Sequence, residues 1–107
     1  RLGPHSPEED AQTLINLGDS YFQKKEYQQA LKVYEQATQK KADLWQAHYG
    51  IGRTLEAMGD TDRAILAYQA VLQINPQQGD SRSRLEKLLK MRGQPDGNMA
   101  PAPNKKP

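Results

Sequence analysis

The chain has 107 residues and a formal net charge of +2, from 15 lysines and arginines against 13 acidic residues. This length allows one small domain, and so small a net charge is by itself no reason to expect a nucleic-acid partner. Cysteine is absent, which excludes disulfides and thiolate metal sites. No apolar run approaches the ~20 residues of a membrane-spanning helix, so no membrane insertion of this segment is expected.

The chain begins with six residues that show no periodic pattern, predicted to be disordered or a cloning remnant. Ser6 to Glu9 predicts a helix start, because Ser6 can cap the helix, Pro7 suits its first position and Glu9 can complete a capping box. The first helix is expected over about Pro7–Gln23. Its buried face is predicted to carry Leu14, Leu17, Gly18 and Tyr21.

Four further helices follow from apolar residues that recur at spacings of three and four. They are expected at Tyr27–Lys40, from a capping box at Asp43–Gln46 to about Met58, at Thr61–Ile74, and at Asp80–Arg92. The turns between them are expected at Lys24–Glu26, Gly59–Asp60 and around Pro76, and Gly93 is expected to stop the last helix. Residues 93–107 contain four prolines and are predicted to form a disordered tail.

A fixed repeat period relates the first half of the chain to the second. Ala30 recurs as Ala64 and Tyr34 as Tyr68, while Gly18 in the preceding helix recurs as Gly52. A period of this size indicates stacked supersecondary units, each covering the apolar face of its neighbour.

These residues resemble the tetratricopeptide repeat (TPR) family over about Ala11–Gln78. The matching residues are Leu17, Gly18, Tyr21, Ala30, Tyr34 and Ala37 in the first copy, and Ile51, Gly52, Gly59, Ala64, Tyr68 and Pro76 in the second. The chain departs from the family at the first turn, where Lys25-Glu26 replaces Gly-Asp. The resemblance implies an all-α helix-turn-helix solenoid over residues 7–92, with repeats at about 11–44 and 45–78 and a capping helix at 80–92.

The resemblance also implies interaction rather than chemistry, because the first helix of each pair in this family lines a concave groove. A partner peptide or protein segment is expected to bind there, within a larger scaffold or assembly complex. Ile15, Phe22 and Tyr49 are apolar on a face that the solenoid core is not expected to need, although packing between helices is an alternative for the two aromatic residues. The predicted partner-binding residues are Gln12, Ile15, Asp19, Phe22, Gln46, Tyr49, Arg53, Glu56, Lys87 and Lys90.

Other functional classes have weaker support. His5 and His48 belong to no metal-ligand spacing, and no nucleophile motif or phosphate loop is present, so neither an enzyme nor a cofactor or small-molecule substrate is expected. Residues 80–92 carry five basic and two acidic residues, which leaves nucleic acid as a less favoured alternative. Self-association through the ends of the solenoid is a further alternative. Both cytoplasmic and periplasmic locations fit the sequence.

One subtype of the family can be set aside. Members that grip the C-terminal carboxylates of chaperones use lysine and asparagine at defined groove positions. Ile15, Asp19 and Gly50 stand at the first three of these positions. The sequence therefore predicts that this chain does not bind chaperone tails in that manner.

Overall fold

The structure is a computed structural model that describes residues 6–93, and this part of the chain forms five α-helices without strands. The helices are α1 Pro7–Gln23, α2 Tyr27–Lys40, α3 Trp45–Ala57, α4 Thr61–Ile74 and α5 Gly79–Gly93. The predicted all-α helical-repeat fold is confirmed. The first, second and fourth helices have the predicted bounds, α3 ends one residue early, and α5 extends one residue further at each end. The predicted tail and the first five residues lie outside the described residues.

Helix α1 begins with the predicted capping box. The Ser6 hydroxyl accepts from the Glu9 amide at 3.0 Å, and the Ser6 amide donates to the Glu9 carboxylate at 3.2 Å. Two amides that have no partner inside the helix are thereby satisfied.

The capping box predicted at the start of α3 is wrong. Leu44 is the N-cap residue, and no side chain caps it. Asp43, the expected cap, lies one residue too early and pairs instead with Lys41 at 2.8 Å. The competing ion pair and the offset of one residue explain the error.

The helices pack as two antiparallel pairs, α1 with α2 and α3 with α4, and α5 covers α4. Tyr34 of α2 is the centre of the first contact, because its ring lies against both Gly18 of α1 and Gly50 of α3. A Cβ atom at either glycine would come within 2.5–2.6 Å of the ring. Gly52 receives the ring of Tyr68 in the same way. These glycines therefore allow the close approach of helices that stacks one pair on the next.

The prediction that Leu17 lies on a buried face is wrong, since its side chain is 43% exposed. Its equivalent in the second pair, Ile51, packs against both apolar clusters of the core because α2 precedes it. Leu17 has no such helix before it in the described chain. A face that is buried within a stack is thus exposed at its end.

The two equivalent turns differ in backbone strain. Gly59 has φ +83°, a conformation that glycine adopts freely, whereas Lys25 in the first turn has φ +63°. Asp60 then caps α4 by accepting from the Arg63 amide, whereas Glu26 gives α2 no side-chain cap. The first turn is therefore the less favourable version of the same structure.

Candidate functional site

The first helices of the two pairs, α1 and α3, form the walls of an open groove of about 660 Å³. Its lining residues are Gln12, Ile15, Asp19, Phe22, Gln23, Lys25, Tyr27, Tyr34, Gln46, Tyr49, Gly50 and Arg53. Several of them are pairs related by the repeat period, such as Gln12 with Gln46 and Asp19 with Arg53. The groove therefore arises from the repeat itself, because equivalent positions on successive helices face the same side.

Seven of the ten predicted site residues lie in this groove, from Gln12 to Arg53. Glu56 instead lines an adjoining recess of about 260 Å³, together with Phe22, Arg53, Ala57 and Arg84. Lys87 and Lys90 are exposed on α5 and line neither the groove nor the recess.

Ile15 is not the exposed apolar residue that was predicted. Its side chain is only 4% exposed and belongs to the apolar core with Ala11 and Ala47. The reason is that α3 packs beside α1 and covers this position. Ile15 can therefore form part of the floor of the groove but offers little surface to a partner.

Phe22 and Tyr49 are half-buried, so both pack between helices and both keep part of their surface exposed. Phe22 packs on the core and meets Tyr27 edge-to-face at 5.5 Å, and Tyr49 meets Tyr68 in the same manner at 6.1 Å. Their remaining surface lines the groove. The groove thus has apolar surface that is held in place by the core.

Arg53 is fixed between these two aromatic rings. Its guanidinium carbon lies 4.8 Å from the Phe22 ring centroid and 6.0 Å from that of Tyr49, within the range of cation–π attraction. Among the described residues no carboxylate forms an ion pair with Arg53. Stacking leaves the edge of the guanidinium, with its N–H donors, available to an anionic group.

Two carboxylates on the helices that carry Phe22 and Arg53, those of Asp19 and Glu56, already accept hydrogen bonds from tyrosines. Asp19 accepts from the Tyr34 hydroxyl at 2.5 Å, and Glu56 accepts from the Tyr68 hydroxyl at 2.8 Å. Burial, followed by the hydrogen bond to Asp19, raises the pKa of the Tyr34 phenol above its ordinary value. The phenol therefore remains a donor at neutral pH and holds Asp19 at the side of the groove.

A polar network that the sequence reasoning missed closes the far end of the recess. Arg84 of α5 donates to Asp80 at 2.8 Å and to Glu56 of α3 at 3.3 Å, and the Tyr49 hydroxyl donates to Asp80. The hydrogen bonds from Tyr49 and Arg84 lower the pKa of the Asp80 carboxyl below its usual range. The spacing of Asp80 and Arg84, four residues apart on one helix, was a signal that could have pointed to their pairing.

Trp45 and His48 both make contacts within the protein. Trp45 is half-buried and meets Tyr49 edge-to-face at 6.0 Å. His48 is also half-buried, and its Nε2 lies 2.8 Å from the carbonyl oxygen of Ala42. Within residues 6–93, no three or more His, Asp and Glu side chains cluster so as to hold a metal ion, and none of the helices there is long and apolar enough to cross a membrane.

Comparison with known proteins agrees with this architecture. The model of a family described as tetratricopeptide repeat matches residues 15–79. No curated protein matches the chain. Among solved structures, the chain is similar to one titled "First TPR of Spaghetti (RPAP3) bound to HSP90 peptide SRMEEVD", with 17% sequence identity and a TM-score of 0.52. The likeness covers 84% of this chain and 98% of that one, and at such low identity it shows the fold alone. Because the family model spans more than half of the sequence, this chain belongs to the tetratricopeptide repeat family.

Proposed function

We propose that this protein is an interaction module that binds a peptide or protein segment in the groove between α1 and α3, within a larger scaffold or assembly complex. The observation that carries the proposal is the Phe22–Arg53–Tyr49 stack, which combines apolar surface with a cation that has no carboxylate partner within residues 6–93. TPR domains are typically interaction modules without enzymatic activity, and the described residues contain no constellation that suggests catalysis.

The groove favours a ligand with apolar side chains and an acidic group. Apolar side chains would cover the exposed parts of Phe22 and Tyr49, and this burial would supply most of the affinity. An acidic group would lie beside Arg53 and fix the direction of the ligand. The side-chain amides of Gln12 and Gln46, on equivalent positions of the two walls, offer donors and acceptors for the ligand backbone.

The Spaghetti (RPAP3) structure contains an HSP90 peptide, but the groove of this chain differs from a site built for chaperone tails. Ile15 and Gly50 bring no polar group, and the Asp19 carboxylate would repel an acidic peptide at its end of the groove. We therefore propose a different peptide, with its acidic group near Arg53 rather than near Asp19.

Nucleic acid is less well supported than a peptide. Two of the five basic residues of α5 are neutralised within the protein, since Arg84 pairs with Asp80 and Glu56, and Arg92 pairs with Asp62. Within residues 6–93 the other three, Arg82, Lys87 and Lys90, form no ion pair, but Arg82 already donates to the Pro76 carbonyl and Glu86 stands among them on the same helix. Phosphate binding would have to compete with these existing contacts.

Affinity capture with the wild-type domain, followed by binding measurements on each captured protein, tests this proposal. Tyr49→Ala should weaken binding of a genuine groove ligand about tenfold or more, because an aromatic anchor is lost. Lys90→Ala is the control, since its side chain is exposed outside the groove, and it should change affinity only slightly. Partners whose affinity is unchanged by Tyr49→Ala and by Phe22→Ala would contradict a concave binding site.

A further inference from the structure

A second surface of the chain, on the flank of α5 opposite to the groove, carries exposed apolar side chains. Arg84 lines the recess and bonds to Asp80, Leu88 is buried against α4, and Leu85 and Leu89 lie on the far side of Leu88. Leu89 is 38% exposed, and Leu66 of α4 is 64% exposed. None of the helices described within residues 6–93 covers this flank.

The repeat shows what kind of element covers such a flank. Leu89 lies one repeat period after Leu55, which is only 2% exposed because it packs against Ala64 and Tyr68 of α4. In the first pair, Tyr21 occupies the same position and packs against the apolar cluster to which α2 contributes Ala30, Tyr34 and Ala37. At both equivalent positions the covering element is therefore an antiparallel helix.

Leu66 belongs to the same surface as Leu89. Arg92 and Asp62 form an ion pair at 3.6 Å, which fixes the register of antiparallel α4 and α5. Leu66 lies one turn after Asp62 in α4, and Leu89 lies one turn before Arg92 in α5. Because the two helices are antiparallel, these leucines lie at the same height along the helix axes. We define Leu66, Leu85 and Leu89 as the α4–α5 patch.

The charges beside the patch indicate which helix fits it. Glu86 occupies the repeat position at which Gly18 and Gly52 contact tyrosine rings of α2 and α4. A helix that covers the patch therefore cannot place a tyrosine ring against α5 at this position. Within residues 6–93 Glu86 has neither a hydrogen bond nor an ion pair, and Arg82, one turn away, bonds only to the uncharged Pro76 carbonyl. Glu86 and Arg82 thus lie beside the patch, and neither charge is neutralised within the described residues.

We propose that a second copy of this chain covers the α4–α5 patch, with the two α5 helices antiparallel about a two-fold axis. Such an arrangement buries Leu89 of both copies and brings Glu86 of each copy towards Arg82 of the other. A surface that carries both charges is complementary to itself under two-fold symmetry, and the resulting interface is closed at two copies.

This dimer leaves both grooves open, because the patch and the recess lie on opposite flanks of α5. Two grooves in one particle would bind a partner that has two copies of a ligand segment more tightly than one groove does. The proposal does not depend on the identity of the groove ligand.

Sedimentation equilibrium of the purified chain, up to about 1 mM, tests the proposal. We expect a monomer–dimer equilibrium that Leu89→Glu and Leu66→Glu each shift about tenfold or more towards monomer. Leu17→Glu is the matched control, because Leu17 is similarly exposed (43%) but lies at the other end of the stack. Glu86→Arg should weaken the dimer, and the double variant Glu86→Arg with Arg82→Glu should restore it. Circular dichroism of each variant checks that the helices are retained.

Three results would overturn the proposal. The first is a chain that remains monomeric at every concentration, whether or not it binds another protein through Leu89. The second is a dimer that neither Leu89→Glu nor Leu66→Glu weakens. The third is an open-ended series of oligomers that Leu17→Glu abolishes, since this would indicate head-to-tail stacking of the two ends.

Discussion

Replacing Gly50 with alanine adds one methyl group at the place where the two helix pairs meet. The added Cβ would lie 2.5 Å from two ring atoms of Tyr34, far inside van der Waals contact. The ring cannot move away freely, because it also lies against Gly18 and its hydroxyl is bonded to Asp19. The methyl group must therefore push α3 away from α2.

The net effect is a balance of two terms. Alanine is better than glycine within a helix by about 1 kcal/mol. Overpacking a fixed core costs about 1–3 kcal/mol, and a ring wedged between two helices favours the upper end of that range. We expect a net loss of about 2 kcal/mol in the free energy of unfolding, equivalent to a fall of roughly 10 °C in the Tm of a domain of this size.

Urea denaturation followed by circular dichroism measures this loss, with Gly79→Ala as the matched control. Gly79 is also helical, but a Cβ atom there meets nothing within 4 Å among residues 6–93, so its replacement should not lower the free energy of unfolding and should raise it by up to about 1 kcal/mol. If Gly50→Ala is as stable as the wild type, the close approach of Tyr34 is not what fixes the stacking of the two pairs.

Three further predictions concern stability and use the same unfolding measurement. Lys25→Gly should stabilise the chain by about 0.5–1 kcal/mol, because it gives the first turn the residue that Gly59 provides in the second; an unchanged value would contradict strain at φ +63°. Ser81→Ala should stabilise the chain by about 1 kcal/mol, because the buried hydroxyl has no hydrogen-bond partner among the described residues and the equivalent residue is Ala47; a loss of stability would indicate a missed partner. Because the folded pKa of Asp80 is lowered, its contribution is present above about pH 4 and is lost as the pH falls through that folded pKa. Asp80→Asn should therefore lose less stability than the wild type as the pH falls below about 4, and an identical loss would show that Asp80 is not stabilised by its neighbours.

The sequence predicted the helices and their stacking because both depend on local or periodic signals. The repeat period predicted equivalent places for Tyr34 and Tyr68 in two stacked units, and the capping box at Ser6 required only residues three apart. The error at Asp43 also has a local cause, because a capping pattern does not show which neighbour competes for the carboxylate.

Burial at the ends of the stack and in its floor could not be predicted from periodicity alone. Leu17 and Ile51 stand at equivalent positions, yet among the helices of residues 6–93 only the helix of Ile51 has another before it, so equivalent patterns lead to different exposure. Ile15 is buried by α3, which is distant in sequence. The contact of Arg84 with Glu56 depends on how α5 lies across α3, and that geometry is not encoded in the repeat period.

The most direct test of the proposed groove is NMR mapping of a bound peptide. A short ligand segment, obtained by selecting a displayed library of random peptides on the domain, is titrated into the isotope-labelled chain. We predict that the largest chemical-shift changes occur at Gln12, Asp19, Phe22, Gln46, Tyr49 and Arg53. Changes confined to the other surfaces, around Leu17 or around Leu66 and Leu89, would contradict binding in the concave groove.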